Sequence, residues 1–119
     1  MTRIGFNNTS CISEADLKCP EGSFGLETIQ DVLSSYPTIA RLRETYGCSD
    51  LLLVRHIVEH AIDANRFIRS LKGLLSPNGH IMLELPDSER ILSAGNHAFI
   101  WEEHISYFTE TTVGLLIEA

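Results

Sequence analysis

A strand–helix–strand pattern in the middle of the chain constrains the fold more than any other feature. Leu51-Leu52-Leu53-Val54 is a short apolar run entered through Ser49-Asp50, the profile of a buried parallel strand. After a turn around Ala61-Ile62-Asp63, apolar residues recur at Phe67, Ile68, Leu71, Leu74 and Leu75. That is the i, i+1, i+4, i+7, i+8 spacing of a helix with one apolar face. Pro77-Asn78-Gly79 is expected to stop this helix. Ile81-Met82-Leu83-Glu84-Leu85 then reads as a second strand, ended by Pro86. Residues 50–87 thus form a βαβ unit, for which a right-handed crossover is expected.

The flanks are less sharply patterned. Asp87 is placed to cap a short helix through Leu92, which Gly95-Asn96 breaks. Thr109-Glu110-Thr111-Thr112 reads as a helix start, with Thr109 as cap and Val113, Leu116 and Ile117 as the buried stripe. Arg3-Ile4-Gly5-Phe6 fits a strand, and Cys11 to Ser23, polar and carrying Pro20 and Gly22, reads as loop. Leu26, Ile29, Val32, Leu33 and Tyr36 suit a helix, although Leu26 to Ile29 would also serve as a short strand. Pro37 interrupts either, and Thr38 to Tyr46 follows as a helix, read through Ile39, Leu42 and Tyr46.

Composition narrows the functional classes. The 119 residues make at most one domain. The formal net charge of −7, with no cationic cluster denser than Arg41-Leu42-Arg43, argues against nucleic-acid binding. No apolar run approaches the roughly 20 residues that span a bilayer, and the first residues lack an apolar signal segment, so no membrane association and a cytoplasmic location are expected. Cys11, Cys19 and Cys48 show no CxxC spacing; buried or idle thiols are expected, with no disulfide framework and no metal site.

In an open parallel sheet, ligands sit beyond the carboxyl ends of the strands. The first strand runs into Arg55-His56-Ile57-Val58-Glu59-His60 and the second into Pro86-Asp87, so both direct polar groups to one edge. Near the C-terminus, Trp101-Glu102-Glu103-His104-Ile105-Ser106-Tyr107-Phe108 crowds carboxylates, an imidazole, a phenol and an indole into a short stretch. Such a mixture can remove a proton while holding a polar substrate against an aromatic wall. The plainer alternative is a surface segment whose aromatics fill the core and whose acids are solvated. Convergence of His56, His60 and His104 on one edge is what the functional reading requires.

Taken together, Asp50 to His60, Leu83-Glu84-Leu85-Pro86-Asp87 and Ile100 to Thr109 resemble the later half of a class I S-adenosylmethionine-dependent methyltransferase. The resemblance is to the branch that includes C-methyltransferases of nucleotide-linked deoxysugars, and it covers residues 50 to 119. The RHxxEH and EHxSYF patterns, in that order, carry it. It implies an α/β, three-layer Rossmann-like methyltransferase fold with a mostly parallel sheet, present in truncated form, with residues 96–110 as a substrate-side segment. It also implies S-adenosylmethionine as cofactor and a small-molecule substrate such as a nucleotide-linked sugar. Arg55 and His56 would line the cofactor, with Asn7 at the place where the family has a ribose-binding acid. His60 and Trp101 would face the substrate, Trp101 standing where the family often has tyrosine. Glu103, His104 and Tyr107 would be catalytic, His104 removing a proton from a sugar carbon beside a ketone.

The glycine-rich turn of the family is not found; Gly22-Ser23-Phe24-Gly25 has the wrong spacing. The expectation is therefore an internal piece of such an enzyme, with strand edges open to a second copy or a partner chain. The alternative is a non-catalytic, methyltransferase-like interaction or oligomerisation module. A small hydrolase or isomerase built on Glu103 and His104 is disfavoured because no GxSxG nucleophile turn is present.

Overall fold

The computed structural model of the chain describes residues 8–18, 26–96, 98, 100 and 104–118. Its elements, in order, are α1 (Glu14–Leu17), α2 (Leu26–Leu33), α3 (Tyr36–Tyr46), β1 (Ser49–Arg55), a 3₁₀ turn (Val58–His60), α4 (Ala64–Lys72), β2 (Leu75–Glu84), α5 (Ser88–Ser93) and α6 (Glu110–Glu118). The architecture is α/β, with β1 and β2 paired in parallel as a two-stranded sheet. The expected βαβ unit is therefore present, with α4 as its crossover. The proposed strand at Arg3–Phe6 lies outside the described residues.

Local chemistry explains most boundaries. Asp63 accepts the Arg66 amide at 2.9 Å and so caps α4, whose Phe67, Ile68 and Leu71 are buried. The helix ends at Lys72, a turn earlier than the apolar spacing predicts, because Gly73 caps it; Leu74 is buried beyond the helix and Leu75 opens β2. Pro77-Asn78-Gly79 consequently lies within β2 rather than ending the helix. There it forms an irregularity: the step from Ser49 to Leu51 on β1 is matched by the step from Leu75 to His80 on β2. Glycine is required at position 79, since a Cβ there would sit 2.7 Å from the Ser49 carbonyl oxygen and 3.1 Å from Leu75. Gly79→Ala should cost about 1–2 kcal/mol through displaced backbone, read as a lower denaturation midpoint with an unchanged slope.

Asp87 caps α5, accepting the Arg90 amide at 3.2 Å, and Thr109 and Thr112 exchange hydrogen bonds at the start of α6. Pro37 falls in the first turn of α3, where its missing N–H costs nothing, so it begins that helix instead of interrupting one. Leu26 to Ile29 is helical, not extended. Within the stretch read as loop, Ser13 and Asp16 bond reciprocally and support the short α1.

The core lies on one face of the sheet. Val54 is buried, and Leu52, Ile81 and Leu83 pack against the same cluster as Leu33, Ile39, Leu42, Phe67, Leu71 and Leu116. The opposite face is open: Leu51, Leu53 and Met82 are 46–58% exposed. Among the described residues the strand is thus covered on one face, not on both as its sequence suggested. In α6, Leu116 is buried and Val113 partly so, but Ile117 points outward. Cys11 and Cys48 are exposed free thiols, not buried ones. Among the described residues no helix is long and apolar enough to cross a membrane.

Candidate functional site

The site is built where β1 ends. His56, the first residue past the strand, takes a left-handed backbone conformation at φ 51°, which few non-glycine residues adopt. The chain turns sharply there into the 3₁₀ turn, whose Val58, Glu59 and His60 are all buried. Two hydrogen bonds to the Ile57 carbonyl hold the turn, from the His60 amide at 3.0 Å and from the buried Gln30 side chain of α2 at 3.1 Å.

The C-terminal segment is then laid onto this turn. The Glu59 carbonyl oxygen accepts both the Ile105 and Ser106 amides at 3.0 Å. Further on, the Phe108 carbonyl accepts the Ser88 amide at 3.1 Å while the Phe108 ring enters the core. These contacts seat His104 edge-on against His60, with ring centroids 4.8 Å apart. Tyr107 also meets His104, with ring centroids 5.9 Å apart, again edge to face. Glu59, His60 and His104 each bring one ligating or proton-accepting atom within 4.8 Å of the others. One Glu59 oxygen, Oε2, is buried and has no hydrogen-bond partner.

A polar chain leads from this cluster to the surface. The other Glu59 oxygen lies 3.7 Å from His56 Nδ1, and His56 Nε2 lies 3.1 Å from Glu84 Oε1. Glu84 pairs side by side with Arg55, its partner across the ladder, through Nε and through Nη2 at 2.9 Å. The hydrogen bonds from Arg55 outweigh desolvation and, with its charge and the weaker His56 contacts, hold the Glu84 carboxyl below its ordinary range. The pair raises Arg55 in turn, chiefly through the same hydrogen bonds. A depressed carboxylate stabilises the fold only while ionised, so its contribution is present above the ordinary carboxylate value of 4.5 and is lost as pH falls through the lower folded value. Both side chains are about half exposed, so the effect is small and salt-sensitive. The expected result is a melting temperature advantage over Glu84→Gln at neutral pH that vanishes in acid.

The residues singled out in the sequence are distributed as follows. His60, His104 and Tyr107 are together; His56 stands beside them through Glu59; Arg55 faces Glu84 at the outer end of the polar chain. Glu103, Trp101 and Asn7 lie outside the described residues. Asp87 serves as a helix cap. Sequence reasoning gave Glu59 no role, yet its carboxylate lies 3.7 Å from His56 and within 4.8 Å of His60 and His104, and its carbonyl docks the segment that follows His104. Its adjacency to His60 in the RHxxEH run was the available signal. No protein-family model, curated protein or solved structure matches this chain.

Proposed function

We propose that this chain carries the proton-handling and substrate-side part of an S-adenosylmethionine-dependent methyltransferase of Rossmann-like architecture, acting on a small molecule such as a nucleotide-linked sugar. The observation that carries this reading is the docking of His104 onto His60 by the Glu59 carbonyl, at the carboxyl end of a parallel strand. His104, half-buried and backed by His60 and Tyr107, can accept a proton from carbon beside a carbonyl, a step to which a positioned base contributes about 10²–10⁴-fold. When bound, S-adenosylmethionine would supply the methyl group to the carbon so activated, its sulfonium leaving as the neutral thioether. The exposed Arg55–Glu84 pair and the His56 imidazole offer both charge signs to its zwitterionic amino-acid end.

Melting the chain with and without millimolar S-adenosylhomocysteine tests the reading. A ligand specific to the folded state at a hundredfold excess over Kd adds about 2.7 kcal/mol, so the transition should move up, and less so in Arg55→Ala. A cooperative transition that does not move would sink the proposal. It would leave the second reading, a non-catalytic interaction module, which the exposed Leu51, Leu53 and Met82 favour. Sedimentation that depends on concentration, and is abolished by Leu53→Lys, would support that alternative.

A further inference from the structure

We infer that Glu59, His60 and His104 form a binding site for a divalent transition-metal ion of the zinc class, with one position left open for an oxygen of a bound ligand. Two imidazoles and one carboxylate are the ligand set of catalytic zinc sites that keep a fourth position free. The three ligand atoms lie within 4.8 Å of one another. A tetrahedron with bonds of about 2.1 Å has edges of about 3.4 Å, so the ligand atoms would have to draw in from separations of up to 4.8 Å to hold an ion.

A second, independent observation points the same way. Glu59 is 3% exposed, and its Oε2 has no hydrogen-bond partner. A carboxylate oxygen taken out of water without a partner is costly, and buried charges in proteins are paired or bound to metal. Among the described residues, His56 Nδ1 lies 3.7 Å from the other oxygen, Oε1. A metal ion beside Oε2 would satisfy it.

The surroundings suit a fixed site. His60 sits between the buried Val58 and Ala61 in a turn held by hydrogen bonds. His104 is held by the paired amides that follow it. The two ligand-bearing segments are therefore locked to each other by backbone, which preorganises the site. The absence of cysteine spacing had no bearing on it, since the ligands are nitrogen and oxygen.

This inference goes beyond the methyltransferase reading and stands without it. A metal-ligated imidazole has no lone pair left to accept a proton, so loading would withdraw His104 from the base role. The test contains no S-adenosyl compound. A chain that binds metal but ignores S-adenosylhomocysteine keeps this inference and loses that one.

The chelator-treated chain is titrated with Zn²⁺ by calorimetry and with Co²⁺ by visible absorption. One ion per chain is expected, with the visible bands of a four- or five-coordinate nitrogen and oxygen site and no strong near-ultraviolet thiolate band. Glu59→Gln, which keeps the side-chain shape, and His104→Ala should each weaken binding by at least about tenfold. His80→Ala, at an exposed position on β2, should leave it unchanged. A thiolate band would place the ion on cysteine and overturn the inference. So would binding unaltered by Glu59→Gln and His104→Ala, or no binding by the wild-type chain at millimolar metal.

Discussion

Phe67→Ala should lower the melting temperature by roughly 10–25 °C and leave little folded chain at 37 °C. Phe67 is 1% exposed and sits on the inner face of α4, the helix that contacts α2, α3, β2, α6 and the 3₁₀ turn. Truncating a fully buried phenylalanine costs about 3–5 kcal/mol, the lost transfer free energy plus the cavity left behind. Domains of this size hold only about 5–15 kcal/mol in total. Phe67→Leu, which keeps most of the volume, should cost less than about 1.5 kcal/mol. Circular dichroism melts of the three proteins decide it. Equal melting temperatures for wild type and Phe67→Ala would mean that α4 is not the hub of the core.

The legibility of this fold follows from how local each signal is. Phe67, Ile68 and Leu71 declare one face of a helix, and Asp63 and Asp87 act as caps by chemistry confined to a few residues. Those features read directly from sequence. Leu74 and Leu75 do not, because they continue the helical spacing while belonging to the next strand. The helix ends at Lys72, with Gly73 as its cap, and Pro77-Asn78-Gly79 falls inside β2 instead of stopping a helix. Leu51 and Leu53 mislead for another reason. A run of leucines announces burial on both faces, but only tertiary neighbours can provide it, and among the described residues they cover one face.

At the site, sequence could nominate histidines but not join them. His60 and His104 are far apart in the chain, and what unites them is a backbone carbonyl accepting two backbone amides. No side-chain pattern encodes that bond. Glu59 was overlooked because carboxylates are seldom fully buried, so a glutamate in a polar run reads as solvated. Its burial follows from the turn that His56 starts at positive φ, a conformation sequence patterns predict poorly at residues other than glycine.

The buried Glu59 oxygen leads to a second large effect, opposite in sign to the first. In chelator, Glu59→Met should stabilise the chain by about 1–3 kcal/mol, the cost of leaving a buried acceptor unsatisfied, or roughly 5–10 °C in melting temperature. Methionine matches the length of glutamate and is at home in an apolar setting. Among the described residues, the ion pair forgone is the one with the half-exposed His56, and its 3.7 Å separation makes it a weak one. The backbone carbonyl that docks Ile105 and Ser106 is untouched by the change. Glu59→Gln should gain less, because the amide leaves polar atoms to satisfy. Loss of stability in Glu59→Met, by a kcal/mol or more, would mean that the carboxylate has a strong partner in the metal-free chain. A gain would identify Glu59 as a residue kept at the expense of stability, which is what a ligand-binding carboxylate in a buried turn is expected to be.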